Sequence, residues 1–338
     1  MDRTAEGGSF VVEGGAPITG TVEPAGNKNE ALPALAATLL LSGETVLERM
    51  PRIRDARSMI ELLSRLGVKI GYEGEQAVSL DASDLSDRDP DASLAASIRG
   101  SFLIAPGLLH RTGKAILPRP GGDRIGRRRV DTHLLALKAL GADVEVTSSE
   151  YRLQLKSRFC GTDVFLDEAS VMATENAVMA ASVADGSTRI LNAACEPHVQ
   201  GLCRLLVAMG ARIEGIGTNC LEIHGTDDLH PARHAIAPDH IEIGSFIALA
   251  AMTGGELRIP DVVEDDLRMI RMVFRRLGVD TQLEGGDLLV PGAQDLVIQE
   301  DLHGAVPKVD DAPWPGFPAD LTSIALVLAT QARGTVLI

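Results

Sequence analysis

Four short segments concentrate the residues that could carry chemistry. PAGNKNEALPALAATLL, from Pro24, places Lys28 and Asn29 where a glycine turn enters an apolar helix. Free N–H groups at a helix start, with a lysine beside them, make an anion site. A solvated lysine at a helix start fits the same residues. LPRPGGDRIGRRRVDTH, from Leu117 to His133, gathers Arg124, Arg127, Arg128 and Arg129 around Asp123. Its arginines could grip phosphate or carboxylate through paired hydrogen bonds, and Gly121 and Gly122 permit backbone conformations other residues resist. A solvated turn is the plainer reading. LDEASVMATENAVMAA, from Leu166, offers Ser170 and Thr174 at the start of an apolar helix, either as caps or as ligand contacts. DDAPWPGFPADLTSIALVLA, from Asp310, forms a rigid Pro/Gly turn with Asp320 just before a helix, as N-cap or as general base.

The elements that must position these residues repeat. LLSRLGVKI, ALKALGADVEV, LLVAMGARIEG and FRRLGVDTQL each read as an amphipathic helix stopped by a glycine and followed by a strand. The glycines are Gly67, Gly141, Gly210 and Gly278, about 70 residues apart, a spacing typical of repeated supersecondary units. Glycine suits the left-handed cap each helix end needs. A second marker, an apolar helix, a glycine turn and a strand, recurs at Gly43, Gly113, Gly186, Gly255 and Gly334. The unit is therefore helix, turn, strand, helix, glycine, strand. The fifth unit begins at the helix from Leu321 to Thr330 and reaches Ile338 after its first strand. That predicts an apolar face left uncovered.

Composition sets the limits. The 338 residues suit about two domains. A net charge of −15 disfavours nucleic acid and anionic membranes as partners, so any anionic small substrate needs local positive charge. Cys160, Cys195, Cys203 and Cys220 form no CxxC pair and no cluster with histidine, which argues against a zinc site and for a reducing compartment. The start, MDRTAEGGSF, lacks signal-peptide character, and no apolar run reaches the roughly 18 residues of a membrane span. A cytoplasmic location is the expectation.

Taken in order, GNKNEALPALAATLL, SIRGSF, PGGDRIGRRRVDTH, ASVMATENAVMAA, the EP of ACEPHVQG, PDHIEIGSFIALAA and PWPGFPAD resemble the UDP-N-acetylglucosamine branch of the EPSP synthase-like enolpyruvyl transferases. The resemblance runs from about Phe10 to Ile338. It implies an α/β fold: a two-domain inverse α/β barrel of repeated β/α units with pseudo-threefold symmetry, its last repeats incomplete here. The domains expected are 1–27 plus 238–338, discontinuous and incomplete at the C-terminus, and 28–237, carrying three repeats and a lid loop.

The resemblance also implies the reaction. Enolpyruvyl passes from phosphoenolpyruvate to the 3′-hydroxyl of UDP-N-acetylglucosamine by addition and elimination, with release of phosphate. This is the first committed step of peptidoglycan synthesis and needs no metal or organic cofactor. By resemblance, Lys28, Asn29 and Arg128 bind phosphoenolpyruvate. Arg99, Arg128, Arg129, Val130, Asp131, Thr132, Glu168, Ala169, Ser170, Val171 and Asp320 line the UDP-sugar. Asp320 is the candidate base, and Asp123 stands at the proton donor's position on the lid. The alternatives are a paralogue with another nucleotide or sugar acceptor, and a non-catalytic fragment that binds nucleotide sugars.

Three departures from the family pattern follow. Most members carry cysteine where this chain has Asp123, and fosfomycin alkylates that cysteine, so a carboxylate there predicts resistance to the drug. Glu168 replaces a common lysine near the diphosphate, and Arg129 replaces a proline. The family also places further arginines beyond the equivalent of Ile338. A chain of 338 residues is accordingly expected to show little transferase activity and marginal stability.

Overall fold

The computed structural model describes residues 11–119 and 130–338. The chain opens with β1 (Gly20–Thr21), α1 (Lys28–Ala37), β2 (Glu44–Glu48), α2 (Arg54–Arg65), β3 (Lys69–Glu73) and β4 (Ala77–Asp81). It continues through α3 (Ala92–Ser97), α4 (Ala105–Thr112), β5 (Lys114–Pro118), α5 (Asp131–Ala139), β6 (Asp143–Val146) and β7 (Glu150–Gln154). Next come β8 (Asp163–Phe165), α6 (Val171–Ser182), β9 (Ser187–Leu191), α7 (Pro197–Ala208), β10 (Arg212–Glu214), β11 (Cys220–His224) and β12 (Arg233–Ala235). The last stretch holds α8 (His240–Thr253), β13 (Leu257–Ile259), α9 (Glu264–Arg276), β14 (Gln282–Glu284), β15 (Asp287–Val290) and α10 (Thr322–Gln331).

Two units result. One holds the described residues up to Glu23 with Ile243–Asp310 and Asp320–Ile338. The other holds Pro24–Glu242 and Asp311–Ala319. The Pro/Gly turn around Trp314 therefore packs with the second unit. There Cys195 Sγ lies 3.3 Å from the Trp314 carbonyl, and the Trp314 ring meets His240 edge-on.

The repeat is visible as one sheet drawn several times. In the second unit the orders are β12-β2-β4-β3 and β8-β9-β11-β10, each with a parallel first pair and antiparallel pairs after it. The third sheet, β5-β7-β6, has the antiparallel part alone. The first unit repeats the full pattern as β1-β13-β15-β14. Two classes of helix serve these sheets. α2 and α9 bury one stripe, Ala56, Met59, Leu62 and Leu63 in the former and Leu267, Ile270, Val273 and Phe274 in the latter. That spacing is the one-sided pattern of a surface helix. α1 and α6 are buried on nearly every side, from Glu30 to Ala37 and from Ala173 to Ser182. Their small and apolar residues make such burial possible, because helices bearing alanine can approach closely.

The helix-ending glycines behave as their spacing predicts. Gly67, Gly141, Gly210 and Gly278 have φ of 100°, 105°, 105° and 90°. The second marker shifts once: the left-handed residue after α8 is Gly254 (φ 70°), not Gly255. Gly255 is glycine for another reason, since a Cβ there would lie 1.8 Å from the Ile18 carbonyl oxygen.

The fifth unit differs from its sequence pattern. The residues on either side of Gly334 form isolated bridges, Val297 with Arg333 and Lys308 with Leu337, rather than a ladder. α10 has the apolar composition of α1 and α6, yet it buries only Ala325 and Leu328, and Leu326 and Val327 are about half exposed. Asp320 does not cap α10. The cap position is Leu321, and Asp320 sits in the preceding 3-10 turn, Ala319–Leu321.

Candidate functional site

The second unit carries a cleft of 370 Å³ where four helical segments begin. α1 brings Lys28 and Asn29, α2 brings Arg54 and Asp55, the 3-10 turns at Arg99–Ile104 bring Arg99, and α6 brings Val171 and Glu175. Lys28 follows Asn27, whose side chain accepts hydrogen bonds from the Asn29 and Glu30 N–H groups at 2.8 and 3.3 Å. The cap fixes the first turn, so the Lys28 stem leaves the helix at the cleft wall. Asn27 is itself held, with its amide 3.3 Å from His240 Nδ1 and its own N–H bonded to the Ala237 carbonyl. This stretch runs beside Pro238, which pairs with Gly26, and a Cβ on Gly26 would lie 1.8 Å from the Arg49 carbonyl oxygen. Glycine is required before the Lys–Asn pair because two backbones meet there.

The charges around the cleft are mixed but ordered. Lys28 Nζ lies 3.6 Å from Asp55, both about half exposed. Arg99 is half-buried, and its charge reaches His133 on α5. Burial first, and Arg99 second, holds the His133 imidazolium down to a pKa of about 3, so this ring is neutral. His133 Nδ1 lies 2.9 Å from the Asn176 amide, which also donates to the Phe102 carbonyl at 3.3 Å. Phe102 meets the His133 ring edge-on at 5.2 Å. This buried network ties α5, α6 and the Arg99 segment together, which fixes the base from which Arg99 extends.

A group of carboxyls underlies α1 and α6. Glu30 is 1% exposed; His234 Nε2 lies 2.8 Å from its Oε1, and the Ala237 N–H donates to its Oε2 at 3.2 Å. Room for it is made by Gly201 on α7, where a Cβ would fall 2.2 Å from the Glu30 carboxyl carbon. Glu30 is anchored and cannot retreat. Gly201→Ala is therefore expected to destabilise the chain by about 1–3 kcal/mol through overpacking, read as a lower urea midpoint. Unchanged stability would show that Glu30 can move aside.

The structure brings several of the residues singled out by sequence together and separates others. Lys28, Asn29, Arg99 and Val171 line one cleft. Val130, Asp131 and Thr132 at the start of α5 adjoin Glu168, Ala169 and Ser170 before α6. The Thr132 hydroxyl donates to Asp167 at 2.7 Å, with Glu168 Oε1 at 3.4 Å, and Ser170 caps α6 by accepting from the Ala173 N–H. Glu168 thus stands at the anchor of α5. Asp320 is exposed and belongs to the first unit. Asp123, Arg128 and Arg129 lie outside the described residues. Sequence reasoning passed over Arg54, Asp55 and Glu175. A glutamate inside an otherwise small and apolar helix was a legible signal for the last of these. Among the described residues no group of three His, Cys, Asp or Glu side chains could hold a metal. None of their helices is long and apolar enough to cross a membrane.

Comparison with known proteins gives one family. Residues 12–338 match the model of EPSP synthase (3-phosphoshikimate 1-carboxyvinyltransferase). The UDP-N-acetylglucosamine 1-carboxyvinyltransferase of Bradyrhizobium diazoefficiens is 51% identical over 97% of this chain and 76% of its own length. The protein of the same name from Treponema denticola is 50% identical over 97% and 77%. Among solved structures, the enolpyruvyl transferase NikO from Streptomyces tendae superposes with a TM-score of 0.82 at 23% identity, covering 95% of this chain and 74% of that one. EPSP synthase from Acinetobacter baumannii gives 0.72 at 17% identity, over 96% and 74%. With the repeated sheets, the cation-lined cleft at the start of α1 and a match that runs to its last residue, the chain belongs to the EPSP synthase family.

Proposed function

We propose that this protein transfers enolpyruvyl from phosphoenolpyruvate to the 3′-hydroxyl of UDP-N-acetylglucosamine, releasing phosphate, in the cytoplasm. The observation that carries the reading is the cleft: Lys28, Asn29 and Arg99 converge at the start of α1 in a chain whose relatives at 50% identity and above bear that activity in their names. Lys28 and Arg99 supply the local positive charge that an acidic protein needs to hold anionic substrates. In this reading Asp320 takes the proton of the sugar hydroxyl, Asp123 delivers one to the methylene carbon of phosphoenolpyruvate, and Arg128 and Arg129 contact the substrates. The four cysteines are unpaired, in keeping with a reducing compartment.

The test is phosphate release from phosphoenolpyruvate with UDP-N-acetylglucosamine added and omitted. Release that depends on the acceptor, however slow, is the expected result. No release, or release indifferent to the acceptor, would overturn the assignment. The 2.7–3.4 Å contacts of Thr132 with Asp167 and Glu168 favour a second reading, another nucleotide or sugar acceptor, because two carboxylates there oppose a diphosphate. A panel of nucleotide sugars in the same assay separates the two.

Fosfomycin gives an independent check. The epoxide needs a thiolate nucleophile, and Asp123 offers a carboxylate. The drug is expected to leave the wild-type protein active on prolonged incubation and to inactivate Asp123→Cys with time. A covalent adduct on the wild-type loop would contradict this.

A further inference from the structure

Glu175 is a buried member of the cleft that the enolpyruvyl reading leaves without a task. It is 1% exposed, it lines the same cleft as Lys28, Asn29 and Arg99, and its Oε1 has no hydrogen-bond partner. A buried carboxyl oxygen without a partner among the described residues costs free energy on the order of 1–3 kcal/mol, and its place in the wall of an anion cleft points to a ligand. We propose that Glu175 is a substrate-binding residue, donating a hydrogen bond from its carboxyl to a phosphate or carboxylate oxygen of the anion held in the cleft. This rests on the reading of the cleft given above.

The surroundings keep the proton on Glu175. Burial raises its pKa well above the ordinary carboxyl value, and the carboxylates of Glu196 and Glu30 push it the same way. Glu196 is itself raised by burial. Cys203, on α7, is pushed up to about 12 by burial and by Glu175, so it brings no thiolate. His133 on α5 is neutral, and His110 on α4 interacts with Arg111, Arg158 and Asp227 instead. The opposing charges are Lys28, Arg54 and Arg99 around the cleft, with Asp55 paired to Lys28. A protonated carboxyl beside those cations adds a directed donor without adding a negative charge that would repel the substrate. An ionised carboxylate in the same place would do the reverse. The sign follows: as pH rises through the raised pKa, the donor is lost, a like charge appears, and anion affinity falls.

The experiment measures binding of phosphoenolpyruvate and of UDP-N-acetylglucosamine separately by calorimetry, from neutral pH up to the alkaline limit at which the protein stays folded, for the full chain and for Glu175→Gln and Glu175→Met. The amide keeps a neutral donor of the same shape, and methionine keeps the volume alone. Glu175→Gln is expected to bind near the wild-type level with a flatter alkaline decline. Glu175→Met is expected to lose about 10–100-fold in affinity, the worth of one hydrogen bond to a charged group. The ligand that loses affinity names the oxyanion concerned. If Glu175→Met fails to fold, the wild-type decline and its flattening in Glu175→Gln carry the test alone. Equal binding by all three proteins with parallel pH profiles would overturn the inference and leave the enolpyruvyl reading standing. A wild-type chain that binds neither compound would overturn both.

Discussion

Lys28→Met is expected to lower kcat/KM for phosphoenolpyruvate by roughly 10²–10³-fold, the usual cost of removing one preorganised cationic donor from an anion site. The fold should be little affected. Lys28 is exposed, and its ion pair with Asp55 at 3.6 Å is a half-exposed one. Pairs of that kind contribute about 0–1 kcal/mol, so the urea midpoint should barely move. The loss should appear in binding of phosphoenolpyruvate and much less in binding of the nucleotide sugar. Asp55→Asn supplies the contrast, since it removes the partner and leaves the cation. A Lys28→Met protein with wild-type kcat/KM would remove the start of α1 from the substrate site and reduce Lys28 to a solvated side chain.

Asp320→Asn is the second large effect. If Asp320 accepts the proton of the sugar hydroxyl, its amide should reduce kcat by about 10²–10⁴-fold, the range of general base catalysis, with a smaller change in the affinity for either substrate. Stability should hold, because Asp320 is exposed and the cap position of α10 is Leu321 rather than Asp320. That separation makes the test clean: a capping aspartate would cost about 1 kcal/mol on replacement, whereas this one should cost nothing measurable. A fall in stability with kcat preserved would reverse the assignment and return Asp320 to a structural role.

Much of the fold was legible because it rests on local rules. Gly67, Gly141, Gly210 and Gly278 mark helix ends, since a left-handed residue after a helix favours glycine wherever the chain goes next. The stripe of α9, from Leu267 to Phe274, follows from the helical period alone. The ordered motifs also singled out Lys28 and Asn29 for phosphoenolpyruvate and Arg99 for the UDP-sugar; the three line one cleft, and their roles there are the subject of the tests above.

Tertiary structure decided the rest. Sequence spelled Glu30 and Glu175 as helix positions like any other. Their burial, the Gly201 gap that admits Glu30 and the unpartnered Glu175 oxygen arise from how α1, α6 and α7 pack. Gly255 looked like a turn glycine, yet its absent Cβ makes way for a backbone 237 residues earlier, at Ile18. Asp320 had the spelling of a cap and was set one residue before it. Local patterns name an element because propensity and capping act within a few residues. Which carboxyl loses its water, and which loses its partner, depends on contacts between segments far apart in the chain, and only packing fixes those.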